Sequence, residues 1–266
     1  MEEHSDPALG AEEIASFVRD GFIRLDNAFP GNVAADARNI LWKATGCNPD
    51  DRSTWSRPVI RLDRFDQPPF QAAASAPRVT AAINQLVGEG RWRHLGGLGT
   101  FPVRFPSPQL PGDDGWHIDA SFGYEDPDFM EWRVNLASRG RCLLALFLFS
   151  DVGADDAPTR IRTGSHIDIA RQLETAGEAG MTLRELASDG FAGSAHRPEV
   201  LATGPAGTVY LCHPFLVHSA QEHRGRNPRF MAQQAILPGT PLVLDRPDGA
   251  YSPVEQAILA AIEKPT

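Results

Sequence analysis

Cysteine is scarce in this chain of 266 residues, which has only Cys47, Cys142 and Cys212. No two of them stand in a Cys-x-x-Cys spacing, so the sequence offers neither a disulfide framework nor a structural zinc site. Such sparse use of cysteine is typical of proteins in a reducing compartment. We therefore expect a cytoplasmic protein.

An excess of basic residues, a long apolar run and a signal peptide are also missing. Lys and Arg number 25 against 34 Asp and Glu, and the net charge of −9 argues against a nucleic-acid binder. The longest apolar run, residues 142–149, is too short to cross a bilayer. Residues 1–6 are acidic and lack the apolar core of a signal peptide. We expect one domain over 1–266, with no membrane partner, and the oligomeric state stays open.

Helical periodicity dominates residues 1–93. Apolar residues recur at helical spacing in 11–19, 32–44 and 77–87, which predicts three helices, with Asn32 as a candidate cap of the second. Residues 22–25 are predicted to form a strand, and the polar segment 47–69 is predicted to be loop. A further helix is predicted over 252–262. Residues 1–93 are therefore expected to form a helical region that packs on the rest of the chain.

From residue 94 the pattern changes to short strands separated by Gly, Pro and Asp. The predicted strands are 94–105, 116–122, 131–137, 141–150, 158–163, 207–212, 215–220 and 229–237. This number of short strands favours a mainly β fold with flanking helices, whose core over 94–237 is a cupin-like jelly roll, or double-stranded β-helix. Residues 168–196 interrupt the pattern. They are interpreted as an insertion that is either a lid near the barrel mouth or a packed outer helical layer.

A histidine and an aspartate stand two positions apart, as His117 and Asp119. In a strand both side chains would face the same way while Ile118 faces the other. His218 adds a second imidazole at the end of another apolar segment. Two imidazoles and one carboxylate form the three-ligand face of non-haem Fe(II) oxygenases, which leaves positions open for a cosubstrate and O2. A His-x-Asp pair alone is weak evidence, and its place at a strand end strengthens it.

An arginine follows the second histidine after a short turn. Arg229 lies eleven residues beyond His218 and opens an otherwise uncharged strand. Two adjacent antiparallel strands would bring it back beside the metal. A guanidinium there can bind the distal carboxylate of 2-oxoglutarate through a two-pronged, charge-assisted contact. Arg224 and Arg226, in the turn, are expected to be solvated.

These features together resemble the phytanoyl-CoA dioxygenase (PhyH-like) branch of the Fe(II)/2-oxoglutarate oxygenases. The resemblance covers most of the chain. It is carried, in the family's order, by residues 12–25, 117–119, 143–151, 159–166 and 213–218, followed by Arg229. The order and spacing of these segments are specific, although no single segment is decisive.

The resemblance implies both a site and a reaction. His117, Asp119 and His218 would be the Fe(II) ligands, and Arg229 would hold 2-oxoglutarate, with O2 as the second cosubstrate. A small-molecule substrate would be hydroxylated with release of succinate and CO2. Related halogenases carry a small residue in place of the metal-binding aspartate, so Asp119 argues against halogenation. The substrate stays open among acyl-CoA thioesters, amino-acid derivatives and other natural products.

Two further residues are candidate contacts of the cosubstrate. Some relatives carry a serine two residues after the distal histidine; here that position is Ala220, and Thr159 is the candidate replacement. If Thr159 faces the pocket, Arg160 and Arg162 must face away. Arg104 is a charge in an apolar strand. It either binds a carboxylate of 2-oxoglutarate or substrate, or points outward beside an acid.

Alternatives remain for one histidine and for the function as a whole. His213 could be a ligand, but a buried histidine bonded to backbone is the favoured interpretation. The rival functions are a metal-binding, cupin-like isomerase or hydrolase that uses no 2-oxoglutarate, and a non-catalytic binding module. Neither rival needs a buried guanidinium at Arg229, which is why that residue discriminates between them.

Overall fold

The computed structural model describes residues 8–262, which fold into antiparallel sheets with flanking helices. The helices are α1 (Ala11–Asp20), α2 (Gly31–Thr45), α3 (Pro68–Ala74), α4 (Pro77–Val87), α5 (Ser165–Glu174), α6 (Leu183–Leu186) and α7 (Pro253–Ile262). The strands are β1 (Phe22–Leu25), β2 (Val59–Leu62), β3 (Phe101–Arg104), β4 (Arg133–Val134), β5 (Leu143–Leu148), β6 (Arg160–Arg162), β7 (Met181–Thr182), β8 (Glu199–Leu201), β9 (Val209–Cys212), β10 (His218–Ser219) and β11 (Met231–Ile236). Within residues 8–262, no helix has both the length and the apolar character that a membrane span requires.

The larger sheet is built around the most apolar strand of the chain, β5. Its hydrogen-bonded order is β1-β9-β5-β11. Beyond β11, Arg104 and Arg229 exchange backbone hydrogen bonds of 3.1 and 2.8 Å, and the amide of Gln233 donates to the carbonyl of Thr100 at 2.8 Å. These bonds attach the pair β3-β2, so the layer runs β1-β9-β5-β11-β3-β2.

A second, smaller sheet has the order β10-β6-β8. His117 pairs with the free side of β10, because its amide donates to the carbonyl of His218 at 2.9 Å and its carbonyl accepts from the amide of His218 at 2.9 Å. Ile161 of this sheet shares one buried apolar cluster with Leu146 and Met231 of the larger sheet. The two sheets therefore face each other across an apolar interior.

The helices cover the outer face of the larger sheet. Phe147 and Leu211 alternate with the inward residues of β5 and β9, and they join a second cluster with Phe17, Leu41 and Ile258 from the helices. All of these side chains are fully buried. The period-two alternation of both strands thus fills one core between the sheets and another under the helices.

The predicted helices and strands are largely present, with four corrections. The predicted strand 116–122 is only a pair of isolated bridges, at His117 and Phe122. The segment 47–69 is not all loop, because it holds β2 and the start of α3; β2 is a half-buried strand of mixed polarity, and α3 begins with two prolines. Asn32 does not cap α2, which begins at Gly31 after Pro30. β8 was not predicted, since two of its three residues are exposed and its apolar pattern is weak.

The predicted insertion 168–196 divides into two parts. Its first part belongs to α5, which begins at Ser165 and packs on α7, where Arg171 donates to the carbonyl of Ala261 at 2.9 Å. Its second part pairs β7 with β4 and continues through α6 to Phe191. The outer-layer interpretation therefore describes the first part, whereas the second part reaches the cavity described below.

We expect two helix-ending glycines to differ sharply in their tolerance of alanine. Gly21 and Gly46 both end helices in the left-handed conformation, with φ of 84° and 71°. A Cβ at Gly46 would meet nothing within 4 Å, whereas a Cβ at Gly21 would lie 2.4 Å from Nδ1 of His166. His166 cannot yield easily, because it is buried and its Nε2 lies 3.0 Å from the carbonyl of Val18.

Urea denaturation should therefore show that Gly46→Ala lowers the free energy of unfolding by about 1 kcal/mol, the cost of a left-handed alanine. Gly21→Ala should lower it by a further 1–3 kcal/mol or so, the cost of overpacking. Equal losses in the two variants would mean that the contact with His166 does not constrain this corner.

Candidate metal centre

The structure brings His117, Asp119 and His218 together at the edge of the smaller sheet. One ligand atom from each lies within 4.8 Å of the others, and the two imidazole centroids are 4.3 Å apart. Directly paired residues of antiparallel strands face the same side, so the pairing of His117 with His218 turns both rings inward. Asp119 follows on the same side, two residues along, as the alternation predicts.

The backbone fixes which nitrogen of each imidazole is free. Nδ1 of His117 lies 2.9 Å from the carbonyl of Gly115, and Nδ1 of His218 lies 3.0 Å from the carbonyl of Leu216. A carbonyl only accepts, so each Nδ1 carries the hydrogen and each Nε2 presents its lone pair. Burial, reinforced by His117, lowers the pKa of His218 to about 4. His218 is therefore neutral at neutral pH, which is the form that binds a metal.

Asp119 is held as a carboxylate by a residue that the sequence interpretation missed. Burial alone would raise the pKa of Asp119, but Arg141, His218 and His117 outweigh that effect and lower it. Nη1 of Arg141 lies 3.2 Å from Oδ2 of Asp119. The one signal available in the sequence was a charge placed directly before the longest apolar run.

A tight turn delivers Arg141 to this position. Ser138 has a φ of 42°, and its carbonyl accepts a 3.2 Å hydrogen bond from the amide of Arg141. The turn lies so close to the neighbouring chain that a Cβ at Gly140 would be 1.9 Å from the carbonyl oxygen of Ser121. Glycine is therefore required there for Arg141 to reach Asp119.

Arg229 is buried, as predicted, but it lies behind the cavity wall. It is only 1% exposed, and its guanidinium donates to the carbonyls of Ala157 and, at 3.2 Å, Pro102. Its Nε has no partner, and it forms no ion pair with any carboxylate of residues 8–262. Burial and the nearby charge of Arg104 lower the pKa of Arg229. This is a buried cation without a counter-charge.

Arg104 combines features of both interpretations that the sequence left open. Its backbone pairs with Arg229, it is 3% exposed, and it lines the cavity rather than pointing outward. It also has an acid beside it, because Nη2 lies 2.8 Å from each carboxylate oxygen of Asp113. Arg61 contacts the same carboxylate from the other side. The loop before His117 therefore places its own carboxylate on Arg104.

Thr159 faces the interior between the sheets. Its hydroxyl lies 3.8 Å from Sδ of Met231, and the side chain is buried. Arg160 and Arg162 take the other face, where their guanidinium carbons lie 4.5 and 4.1 Å from the ring centroid of Trp116. Both arginines thus lie on the side opposite Thr159, as alternation along a strand requires, and the contact of Thr159 with the cosubstrate stays a prediction.

His213 lies outside the cluster, as favoured from the sequence. Its Nδ1 accepts from the amide of Phe215 at 3.2 Å, and its Nε2 lies 3.3 Å from the carbonyl of Val254. Burial, with His166 nearby, lowers the pKa of His213 well below its usual value. His213 is thus a neutral core histidine.

A cavity of about 580 Å³ opens beside the cluster. One group of lining residues can bind metals or anions: Arg61, Arg104, His117, Asp119 and Arg141. A second group is apolar or aromatic: Trp116, Phe129, Met130, Trp132, Leu183 and Phe191. The second group comes partly from the insertion and partly from the segment after Asp119. The cavity therefore joins a polar, metal-binding region to an apolar one.

Solved structures of similar fold include enzymes of several kinds. HygX from Streptomyces hygroscopicus, with nickel and 2-oxoglutarate bound, has a TM-score of 0.59 at 19% identity and covers 87% of this chain and 88% of its own. SnoN, a non-haem α-ketoglutarate-dependent epimerase from nogalamycin biosynthesis, has a TM-score of 0.58 at 18% identity, covering 90% and 83%. The carbocyclase SnoK of the same biosynthesis has a TM-score of 0.55 at 17% identity, covering 86% and 84%.

No curated protein matches the chain. The solved structures, at such low identity, establish the fold and no more. A family model goes further, because the phytanoyl-CoA dioxygenase (PhyH) model matches residues 17–231, well over half of the chain. That match confirms the resemblance in the sequence, and with it the expected Fe(II), 2-oxoglutarate and O2. The chain belongs to the phytanoyl-CoA dioxygenase family of Fe(II)- and 2-oxoglutarate-dependent oxygenases.

Proposed function

We propose that this protein hydroxylates a small-molecule substrate with Fe(II), 2-oxoglutarate and O2, and releases succinate and CO2. The observation that carries the proposal is the meeting of His117, Asp119 and His218 within 4.8 Å at the wall of a cavity large enough for a small molecule. Two imidazoles and one carboxylate on one face are the donor set of non-haem iron oxygenases.

We also propose that the core is a jelly roll within a single domain. Two antiparallel sheets face each other across the cluster of Ile161, Leu146 and Met231, and the helices cover the outside of one sheet. Closing such strands into two facing sheets leaves the strand ends grouped around an opening. The three candidate metal ligands, at the end of β10, lie where such an opening is expected. A cytoplasmic location fits the three free cysteines.

The chemistry of the donor set fits Fe(II). His117 and His218 present Nε2 lone pairs, because their Nδ1 hydrogens are already bonded to backbone carbonyls. Such bonds fix the orientation of each ring and increase its basicity as a ligand. Asp119 is ionised, so it can supply the single anionic ligand. His117, Asp119 and His218 would hold the metal, which leaves the remaining positions for cosubstrate and O2.

Arg229 would bind the distal carboxylate of 2-oxoglutarate. A buried guanidinium with a free Nε and no paired acid is costly unless an anion completes it. Arg104 lines the cavity and its backbone pairs with Arg229, so an entering carboxylate would compete with Asp113 for Arg104. Thr159 faces the same interior and would add a hydroxyl contact.

The chain's part in the reaction is to bind, orient and exclude water. When bound, the iron supplies oxidation of a substrate C–H bond by O2, coupled to decarboxylation of 2-oxoglutarate to succinate. His117 and His218 would present their Nε2 lone pairs to the metal, held in that orientation by their Nδ1 contacts with backbone carbonyls. Arg141 keeps Asp119 charged. The aromatic residues at the cavity, among them Trp132 and Phe191, would keep bulk water from the reacting atoms.

Two other outcomes compete with hydroxylation. Halogenation needs a vacant ligand position for halide, and Asp119 fills it. Epimerisation and ring closure occur in enzymes of the same fold, such as SnoN and SnoK, so analysis of the product must separate them from hydroxylation. A cupin-like isomerase, hydrolase or binding module without 2-oxoglutarate would leave the charge of Arg229 uncompensated.

The first test is a direct one on the wild-type protein. Anaerobic addition of Fe(II) and 2-oxoglutarate should produce the weak visible charge-transfer band of the chelate, and admission of O2 should yield succinate. Chloride buffer should give no chlorinated product once a substrate is found. Absence of both the band and succinate would contradict the proposed function.

Removal of any metal ligand should abolish turnover while the fold survives. We expect His117→Ala, Asp119→Ala and His218→Ala each to lose iron and activity, since three ligands are needed to hold the metal against water. His196→Ala is the matched control, because His196 is exposed and outside the cavity. Iron content, succinate yield and circular dichroism of each variant decide the point. A ligand variant with full activity does not belong to the site.

Arg229→Gln should weaken 2-oxoglutarate binding far more than Arg224→Gln. Truncating one partner of a buried charge pair costs roughly 2–5 kcal/mol, which is about thirtyfold or more in KM for 2-oxoglutarate. Arg224 is 75% exposed and pairs only with Glu222, so its variant should behave as wild type. Titration of the charge-transfer band measures both affinities. If Arg229→Gln keeps its affinity and Arg104→Gln loses it, the carboxylate belongs to Arg104.

A further inference from the structure

We propose that Arg141 binds a carboxylate of the substrate, and that the substrate is therefore a carboxylic acid with an apolar body. The inference rests on the proposed function of the same cavity and adds the chemical class of its substrate. Arg141 lines the cavity beside Asp119, and its side chain is 15% exposed. Arg141 is thus accessible from the cavity and close to the candidate metal ligands.

The hydrogen-bonding capacity of Arg141 is poorly used within residues 8–262. Its contact with Asp119 is a single approach of 3.2 Å through Nη1, longer than the 2.7–2.9 Å or so of a good charge-assisted bond. Its Nε is buried and has no partner. A guanidinium offers five N–H donors in a planar fork that matches a carboxylate. Arg141 therefore has donors left for a ligand.

In the loaded site Arg141 would share with the metal the one acid that it pairs with in residues 8–262, Asp119. A divalent cation, Asp119 and the chelating carboxylate of 2-oxoglutarate are together neutral. The other acid in the cavity wall, Asp113, is already engaged by Arg104 and Arg61. A half-buried cation whose paired acid also binds a metal is incompletely neutralised, and one substrate carboxylate would offset it. Arg229 cannot serve instead, because it lies behind the wall and is assigned to the cosubstrate.

The rest of the cavity fits an apolar body. Trp132 stands edge-on to Tyr124 and Phe129, with ring centroids 5.0 and 6.5 Å apart. Tyr124 and Phe129 are 50% and 59% exposed, although both rings line the cavity. Large apolar side chains left open at a cavity are typical of a binding surface. The apolar part of the substrate would cover them.

Phe191 is held against this cavity by a strained backbone. Its φ and ψ of 60° and 37° are left-handed, which is unusual for a phenylalanine. Nη1 of Arg162 donates to its carbonyl at 2.7 Å, and the hydroxyl of Ser194 donates to the same carbonyl at 3.0 Å. Backbone strain of this kind gathers at binding sites. It supports Phe191 as a wall that shapes the apolar end.

A matched pair of probes tests the proposal on the loaded protein. The Fe(II)- and 2-oxoglutarate-bound enzyme is titrated anaerobically with 3-phenylpropanoate and with 3-phenylpropanamide, which has the same shape without the charge. Quenching of tryptophan fluorescence reports binding, because Trp116 and Trp132 line the cavity. We expect the acid to bind at least about tenfold more tightly than the amide.

Three variants test whether Arg141 is responsible for the preference for the acid. Arg141→Gln should abolish the preference for the acid, and Arg141→Lys should restore part of it. Arg139→Gln is the matched control from the same turn, since Arg139 is 48% exposed and is not among the cavity residues. It should keep the full preference. Each variant is loaded with Fe(II) to the same occupancy before titration, because Arg141 also contacts Asp119. The 2-oxoglutarate affinity should change little in all three.

Every remaining outcome contradicts the proposal, each for a different reason. If the wild-type enzyme does not prefer the acid, including the case in which neither probe binds, Arg141 has no such role. If Arg141→Gln loses 2-oxoglutarate affinity instead, the guanidinium serves the cosubstrate. If it loses iron but keeps the preference, Arg141 only positions Asp119. Failure of the charge-transfer band in the wild type would be separate, because it contradicts the proposed function itself.

Discussion

The pair of backbone hydrogen bonds between His117 and His218 is the constraint on which the rest of the site depends. These two 2.9 Å bonds join a short segment of irregular chain to the end of β10. They set the register in which two imidazoles face the same interior and Asp119 follows two residues later. A slip by one residue would turn Ile118 inward and the ligands outward. The grouping of the three candidate metal ligands is thus a consequence of strand pairing.

The second organising feature is positive charge held where water is scarce. Arg104, Arg141 and Arg229 each have a buried Nε without a partner among residues 8–262. Arg104 is paired with Asp113, Arg141 contacts Asp119 at 3.2 Å, and Arg229 forms no direct ion pair within the described part of the chain. Cations of this kind are stable when anions join them, so the cavity is prepared for carboxylates at more than one place. A metal with an anionic cosubstrate and an acidic substrate would satisfy that requirement.

Fold and reaction are set by different parts of the molecule. Solved structures of similar fold include a carbocyclase and an epimerase, so the architecture does not choose the product. The choice falls to the segments that border the cavity. These are the turn that carries Arg141, the aromatic segment of Phe129 and Trp132, and the second part of the insertion with Phe191. All are loops or short elements, in which residues can change without loss of the core.

Local pattern in the sequence was enough for the elements and ligands that follow a regular period. β1 over 22–25 and α4 over 77–87 agree with their predicted bounds, and the apolar run 142–149 marked β5 as a buried strand. The three candidate metal ligands were predicted because a His-x-Asp pair and a distant histidine match a known chemistry in a known order. β2 was not predicted, because its mixed, half-buried pattern resembles that of a loop.

Arg141, and the pairing of Arg104 with Asp113, could be found only in the tertiary structure. Both depend on contacts between segments that are remote in the chain or irregular in conformation, such as the approach of Gly140 to Ser121. Periodicity reports which face of an element is buried, but it contains no information on which loop meets that face. The sequence by itself therefore determined the family and predicted the candidate metal ligands, whereas packing decided which charges surround them.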